Sequence, residues 1–247
     1  MTENEILAHF ASLDLQPEAR YYIACMARRF AYLLRLVERF RAQLPAGTAR
    51  IMDIGPSYFT ELLSLKFPRD EILCVGFASQ NSRGGHYPKG IKLEAVRFHA
   101  FDLNDTQDRS KWIEIPSCDI VVMAEVIEHV HTAPQLVYRF IQSFLAPGGA
   151  LIVQTPNAAE FFKRIQLLQG KNPYELIREN AENPGHFREY TGMELRAIGE
   201  QEGLSCLDIE YLNYFPRKGR LQRLVNAITD IAAPTLREGI TVSYRKT

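Results

Sequence analysis

The sequence predicts a doubly wound α/β fold, in which a mostly parallel sheet carries helices on both faces. Short apolar runs of strand length recur along the chain, and most are separated by stretches that suit a helix. This alternation is typical of βαβ units, whose crossovers place helices on both sides of a sheet.

Seven segments have the length and composition of strands. Two long ones, 204–215 and 239–246, lie near the end of the chain. The five short ones are RIMDIG (50–55), EILCVGF (71–77), VRFHAF (96–101), DIVVMAE (119–125) and ALIVQT (150–155). Uninterrupted apolar runs of this length predict strands that are buried on both faces.

Helical periodicity is clearest ahead of the first strand, over residues 18–44, where apolar side chains recur with arginines between them. A second helix is predicted over 192–203, because Thr191 and Glu194 have the spacing of a capping box. A third, basic and amphipathic, is predicted over 217–232. The stretches 78–93 and 156–190, and the rest of an excursion over 216–238, are expected to be irregular.

Length and composition indicate a single domain over residues 1–247. We expect a helical cover at 1–47, a core at 48–215, and the excursion with the last strand at 216–247. The chain is 46% hydrophobic and 23% charged, and no apolar run reaches the roughly 18 residues of a membrane span. Its first residues lack a basic segment leading into an apolar one, so a soluble, cytoplasmic protein is expected.

The charge balance and the cysteine content limit which binding partners and metal sites the sequence predicts. Twenty-nine basic and twenty-nine acidic residues cancel, which disfavours a nucleic-acid partner. The four cysteines, Cys25, Cys74, Cys118 and Cys206, are scattered without metal-ligand spacing and are interpreted as buried free thiols. Helix 217–232 either contacts a membrane surface or lipid carrier, or packs as a lid with a solvated face.

The first predicted strand ends in a tight turn that begins at Gly55. A glycine there lets the backbone approach a ligand, and Ser57 can cap the following helix and leave amides facing a carboxylate. Ordinary strand-to-helix turns have the same pattern. Open α/β sheets bind ligands beyond the carboxyl ends of their strands, so the turn is a candidate site.

Two further segments, CDIVVMAEVIEHV (118–130) and LAPGGALIVQTPNA (145–158), resemble the "fD.V…evlEHv" and "LkPGG…TPN" segments of S-adenosylmethionine-dependent methyltransferases. Their order and spacing after the Gly55 turn also match. The stretch 172–195 is similar to one in ubiquinone-biosynthesis O-methyltransferases and methyltransferases of bacterial cell-surface glycan synthesis. The resemblance implies a class I, Rossmann-like fold: a seven-stranded, mostly parallel sheet with an antiparallel last strand and an N-terminal helix.

The resemblance also implies which residues contact S-adenosylmethionine. Asp53, Gly55 and Ser57 would lie along its methionine part, and Phe77 and Ala78 would flank its ribose. Asp102 and Leu103 would contact the adenine, and Ala124 and Glu125 would close the end of the pocket.

Two departures from the family pattern matter. The first loop keeps one glycine of GxGxG, and the second strand lacks the acid that binds the ribose hydroxyls. The missing acid costs about 1–3 kcal/mol of cofactor binding, unless Gln80 or Asn81 in the following loop replaces it. Tyr21, Tyr22, Arg28 and Arg29 on the first predicted helix could also cover the cofactor, although packing against the core explains the two aromatic residues equally well.

Glu125, Glu128 and His129 lie within five residues, and His186 can join them from a later loop. Such oxygen and nitrogen ligands suit Mg²⁺, Mn²⁺ or Zn²⁺, and the ubiquinone-type and small-RNA 2′-O-methyltransferases look similar here. Alternatively, a histidine acts as a general base without a metal, oriented by Glu128. His129 is the first candidate for this base and His186 is the second. A structural role is also open, with Glu128 capping the next helix and an Arg188–Glu189 contact holding the loop.

The favoured function is methyl transfer from S-adenosylmethionine to an oxygen of a small-molecule, glycan-like or lipid-linked acceptor. One alternative is a non-catalytic methyltransferase-like accessory domain, favoured by the missing glycines and ribose acid. Another is a metal-dependent RNA 2′-O-methyltransferase, favoured by the acid and histidine cluster and disfavoured by the zero net charge.

Overall fold

The computed structural model describes residues 1–77, 96–180, 183–214 and 219–247, with the backbone alone at 220–223 and 232. These residues form seven strands: β1 (Arg50–Ile54), β2 (Glu71–Gly76), β3 (Arg97–Ala100), β4 (Cys118–Ala124), β5 (Leu145–Pro156), β6 (Leu204–Leu212) and β7 (Gly239–Lys246). The strand order is β3-β2-β1-β4-β5-β7-β6. Only β7 pairs antiparallel, with β5 and β6, which confirms the predicted sheet.

The described helices are α1 (Glu3–Ala11), α2 (Pro17–Arg41), α3 (Tyr58–Lys66), α4 (Pro134–Phe144), α5 (Phe161–Leu168), α6 (Gly192–Gln201) and α7 (Arg220–Ala232). Helices α2, α6 and α7 match the three predicted ones, and α6 starts at the predicted capping box of Thr191 and Glu194. None of the described helices is long and apolar enough to cross a membrane.

Helix α5 corrects the expectation that 156–190 is irregular throughout. The Glu160 carboxylate caps it by accepting hydrogen bonds from the amides of Phe162 and Lys163. None of the side chains of α5 is buried. Its apolar residues Phe161, Ile165 and Leu168 do recur at helical spacing, but the helix has only eight residues, fewer than the window of about 11–18 over which periodicity identifies a helix.

Alternation along the strands divides the core between the two faces of the sheet. Met52 faces α4 and α6, whereas its neighbour Ile51 faces α1, α2 and α3. The apolar stripe of α2 is therefore a buried face, where full burial of a side chain such as Leu34 contributes about 1.5–3 kcal/mol. All four cysteines are free thiols, as predicted, but only Cys74 and Cys118 are buried; Cys25 and Cys206 are partly exposed, which corrects the expectation that all four are buried.

The centre of the sheet is where its two halves diverge. Strands β1 and β4 are neighbours, but the chain continues from β1 to β2 on one side and from β4 to β5 on the other. The loops that follow β1 and β4 therefore turn away from each other and leave a crevice at the carboxyl ends. Gly55 and Glu125 lie on its two sides.

Candidate active site

A cavity of about 700 Å³ fills this crevice. Nine of the predicted site residues line it: Gly55, Ser57, Phe77, Asp102, Leu103, Ala124, Glu125, His129 and His186. Asp53 and Glu128 lie behind its wall, and both are buried. Ala78 lies outside the described residues. Loops from five strand ends and from the segment before α6 thus converge on one space.

The turn after β1 requires its glycine on two grounds. Gly55 has φ +83°, in the left-handed region, and a Cβ there would lie 2.5 Å from Cγ2 of Val126. Its amide donates to the carbonyl of Val75. Ser57 then caps α3, as predicted, because its hydroxyl accepts from the amide of Phe59 (3.2 Å). The turn therefore brings bare backbone to the cavity wall.

We expect Gly55→Ala to destabilise the protein more than Gly148→Ala. Gly148 is also left-handed (φ +74°), but a Cβ there meets no atom within 4 Å, so its substitution reports backbone strain alone, about 1–2 kcal/mol. Gly55→Ala adds the overlap with Val126. Urea midpoints at constant slope measure both losses. Equal losses would show that the Val126 contact relaxes freely.

The bulk that Pro56 adds to the first loop is accommodated at the end of β2. A Cβ on Gly76 would lie 2.5 Å from Cδ of Pro56, so the proline ring packs directly onto that glycine. Phe77 follows and lines the cavity where the family pattern has an acid. Among the described residues, Phe77 thus gives the wall an apolar side chain at the predicted ribose position, and Gln80 and Asn81 lie outside the described residues.

Asp102 fixes the wall that is predicted to meet the adenine. Its Oδ1 accepts hydrogen bonds from the amide of Asn104 (2.8 Å) and from its side-chain nitrogen (2.9 Å). The Oδ1 of Asn104 in turn accepts from the amide of His131 (2.8 Å). This chain of hydrogen bonds holds the loop after β3 against the loop after β4. Leu103, between Asp102 and Asn104 in sequence, lines the cavity.

Asp53 is 2% exposed and supports the first loop from behind. Its Oδ2 accepts from the hydroxyl of Thr60 (2.6 Å), and that hydroxyl accepts from the amide of Ser57 (2.9 Å). Burial raises the pKa of the Asp53 carboxyl to about 7. The carboxyl is therefore linked to the predicted cofactor loop through one hydroxyl group.

Glu125 ends β4 in a strained conformation, since it alone among the described non-glycine residues has a positive φ, 57°. Its Oε1 accepts from the hydroxyl of Tyr214 (3.2 Å) and lies 3.7 Å from Nη1 of Arg29. Burial raises the pKa of the carboxyl, and the Arg29 charge opposes that rise. This carboxylate therefore faces a cation and a phenol.

Arg29 was predicted only as one of several residues of the first helix that could cover the cofactor, and not as a partner of Glu125. It lies on the buried face of α2 beside Met26 and Phe30, and it is 3% exposed. Charged residues are rarely fully buried unless they have a partner or a function. A charge within the apolar stripe of an amphipathic helix was therefore the available indication.

Glu128 is fully buried in the turn after β4. Its Oε2 accepts from the hydroxyl of Thr155 (2.9 Å), whereas its Oε1 has no hydrogen-bond partner among the described residues. Burial and the nearby Glu125 raise the pKa of the carboxyl well above its ordinary value. Helix α4 begins after Ala133 with no side-chain cap, so Glu128 does not cap it.

The two predicted histidines meet at the cavity, with ring centroids 4.8 Å apart. The Nδ1 of His129 lies 3.0 Å from the carbonyl of Gly185, and a carbonyl only accepts, so this nitrogen carries the proton. Its Nε2 therefore keeps a lone pair, 4.0 Å from Oε1 of Glu128. Burial lowers the pKa of His129, which favours the neutral ring.

Glu189 orients His186 and was not predicted. Its Oε1 lies 3.1 Å from Nδ1 of His186, and its other oxygen binds the ammonium of Lys163. Arg188 pairs with Glu194 and not with Glu189, so the loop contact weighed from the sequence is wrong. A carboxylate that bonds one ring nitrogen of a histidine fixes the orientation of the ring, so Glu189 sets the direction in which Nε2 of His186 points.

Glu128, His129 and His186 form the group that fits a metal ion within the described part of the chain. One ligand atom from each lies within 4.8 Å of the others. The unpartnered Oε1 of Glu128 and the two anchored histidines are the donor set expected of a transition-metal site. Glu125, also predicted as a ligand, is held instead by Arg29 and Tyr214.

The chain matches the model of a family described as "Methyltransferase domain" over residues 26–209 and belongs to that family. It is thus an S-adenosylmethionine-dependent methyltransferase of class I, which confirms the enzyme, cofactor and fold predicted from the sequence.

Solved structures share the fold at low identity. An S-adenosylmethionine-dependent methyltransferase from Archaeoglobus fulgidus is 13% identical (TM-score 0.56; 92% of this chain and 99% of that chain covered). A Burkholderia thailandensis 1,6-didemethyltoxoflavin-N1-methyltransferase, with bound 1,6-didemethyltoxoflavin and S-adenosylhomocysteine, is 14% identical (TM-score 0.57; 99% of this chain and 87% of that chain covered). A putative sarcosine dimethylglycine methyltransferase from Galdieria sulphuraria is 13% identical (TM-score 0.56; 99% of this chain and 98% of that chain covered).

Proposed function

We propose that this methyltransferase acts on a hydroxyl oxygen of a small-molecule or glycan-like acceptor, which is activated at the group of Glu128, His129 and His186. The observation that supports this is the pair of anchored histidines beside an unpartnered carboxylate oxygen. A hydroxyl is a weak nucleophile until its proton is removed, so it needs a base or a metal ion at this position. A neutral amine needs neither.

S-adenosylmethionine supplies a methyl group on a positively charged sulfur. The new carbon–oxygen bond forms as the carbon–sulfur bond breaks, and the sulfur keeps the electron pair. The protein must hold the acceptor oxygen about 3–3.5 Å from the methyl carbon and remove its proton. The neutral His129, with Nδ1–H fixed on Gly185, presents Nε2 as the proton acceptor.

As the alternative to this metal-free base, we propose that Glu128, His129 and His186 hold a divalent cation. The unpartnered Glu128 oxygen supports this, because such a buried group is costly without a counter-charge. Gly185 and Glu189 would then orient the two histidine ligands. The ion would lower the pKa of a bound hydroxyl, and His129 would be a ligand and not the base.

A lipid-linked acceptor is favoured over RNA by the surface of α7. Leu224, Ile228 and Ile231 are 58%, 51% and 89% exposed, and their spacing places them on one side of the helix. Val225 and Thr229 face the protein. An outward apolar stripe on a helix whose sequence begins with arginines suits the interface of an anionic membrane.

The test is transfer from labelled S-adenosylmethionine to a panel of phenols, sugars, lipid-linked sugars, amines and RNA, with added Mg²⁺, Mn²⁺ or Zn²⁺ and with chelator. We expect label on hydroxyl oxygens and loss of at least about 100-fold in His129→Gln. His9→Gln, which alters a histidine of α1, is the matched control.

Label confined to amines, with His129→Gln fully active, would overturn the proposal of O-methylation. Full activity in chelator, with activity still lost in His129→Gln, would remove the metal and leave His129 as the base. Transfer to RNA alone would reject the lipid-linked acceptor.

A further inference from the structure

Glu175 binds the backbone of the loop that carries His186, although it lies eleven residues earlier in the chain. Its Oε1 accepts a hydrogen bond from the amide of His186 (3.0 Å). The same oxygen lies so close to Gly185 that a Cβ there would be 2.7 Å from it, so any larger residue would push the carboxylate away. Glu175, which also lines the cavity, is therefore fitted to this one peptide group.

Arg178 holds the Glu175 carboxylate in this position. Its Nη2 donates to Oε2, the oxygen that does not bind His186 (2.5 Å). The backbone amide of Arg178 also donates to the carbonyl of Pro184 (3.0 Å). Two hydrogen bonds thus join residues 175–178 to the loop at 184–186, and the ion pair restrains the carboxylate that makes one of them.

The peptide group between Gly185 and His186 links Glu175 to His129. Its N–H donates to Glu175, and its carbonyl accepts from Nδ1 of His129 (3.0 Å). The two bonds lie on opposite sides of one planar trans unit, so this peptide cannot turn without breaking both. Consecutive hydrogen bonds of this kind also polarise and strengthen one another.

We propose that Glu175 is a positioning residue, which fixes the tautomer of His129 through this peptide. An ionised carboxylate only accepts hydrogen bonds, so it selects the orientation in which the N–H faces Glu175 and the carbonyl faces His129. A carbonyl in turn only accepts, and the proton of His129 is therefore held on Nδ1, with the lone pair on Nε2. The importance of that lone pair for catalysis rests on the proposed function.

The test is the tautomer of His129, read from the ¹⁵N shifts of its ring nitrogens with chelator and without acceptor, near pH 8, where a histidine ring is neutral. His129→Gln assigns the signal. Wild type should carry the proton on Nδ1 alone, whereas Glu175→Ala should exchange between the two tautomers because the peptide is free to turn. Glu175→Gln should behave as wild type, since its amide oxygen can still accept from His186.

Glu179→Ala is the matched control, because Glu179 is an exposed glutamate of the same segment and should leave the tautomer unchanged. The ring of His9, which bonds to Glu61, is the internal reference. If Glu175→Ala fails to unfold cooperatively, Glu175→Asp takes its place, since its shorter side chain withdraws the carboxylate from the peptide. An unchanged tautomer in the shortened variant, or its loss in Glu175→Gln, would overturn the proposal.

Methyl transfer distinguishes this proposal from the proposed function. With an acceptor that the panel identifies, Glu175→Ala should lower kcat about 10- to 100-fold, the effect of a slightly misplaced reacting group, and leave the acceptor KM unchanged. A raised KM with an unchanged kcat would mean that Glu175 binds the acceptor, which would also overturn the proposal. Full activity after loss of the tautomer would instead reject His129 as the reacting group and leave the role of Glu175 intact.

Discussion

Glu128→Gln is expected to stabilise the cofactor-free protein while it abolishes methyl transfer. The Glu128 carboxyl is fully buried, one of its oxygens has no partner among the described residues, and burial together with Glu125 raises its pKa well above the ordinary value. Glutamine keeps the shape and the bond from Thr155 but removes the charge. We expect a gain of about 1–3 kcal/mol near pH 8.

The pH dependence gives the sign of this effect. A carboxyl whose pKa is raised on folding favours the folded state at low pH, and this contribution is lost as pH rises above the ordinary value of 4.5. The advantage of Glu128→Gln should therefore be small at pH 4.5 and grow with pH in urea unfolding. Glu202, which makes two hydrogen bonds to Arg139, is the control, since Glu202→Gln removes a satisfied carboxylate and should not stabilise.

Divalent cations supply the second measurement. If Glu128 is a ligand, Mg²⁺, Mn²⁺ or Zn²⁺ should raise the Tm of the wild-type protein and leave Glu128→Gln unchanged, because only a state that binds the ion is stabilised by it. Stabilisation of both proteins to the same extent would contradict a metal site at Glu128. A destabilised Glu128→Gln at pH 8 would contradict the buried-charge argument.

The fold was predictable because its signals are local and repeated. Buried central strands appear as unbroken apolar runs, and α2 and α6 carry a stripe or a cap that periodicity and spacing detect. Helix α5 was missed because its eight residues are too few for helical periodicity to identify it. The order of strand-like and helix-like segments along the chain therefore predicted the fold, and no single residue was needed for it.

Apart from His186, which was named from a later loop, the predicted site residues are neighbours in sequence or follow a strand. Glu128 and His129 satisfied both conditions. Glu189 lies three residues after His186 and was missed because a contact with Arg188 was weighed for it. The role of Arg29 was missed because its partner Glu125 is brought to it by the packing of α2. Such contacts depend on distances between elements, which a single sequence does not specify.

Asp53 leads to the second large effect, a fall in the free energy of unfolding between about pH 4 and pH 7. Burial raises the pKa of this carboxyl from 3.8 to about 7, although the bond from Thr60 and the charge of Arg29 oppose the rise. The folded state thus holds a proton that the unfolded state has released in this range. The contribution of Asp53 to the free energy of unfolding is therefore fully present below pH 4 and declines toward pH 7. The shift corresponds to roughly 4 kcal/mol.

Asp53→Asn should remove this decline, because the amide oxygen can still accept the bond from Thr60 while no proton titrates. Urea unfolding at closely spaced pH values should show a flatter profile for the variant and a higher stability than wild type above pH 7. Parallel profiles would mean that the carboxyl ionises freely in the folded protein. Titration with S-adenosylhomocysteine then separates two roles: a change in Kd below about threefold means that Asp53 supports the loop through Thr60, since loss of a direct hydrogen bond to the cofactor would cost more.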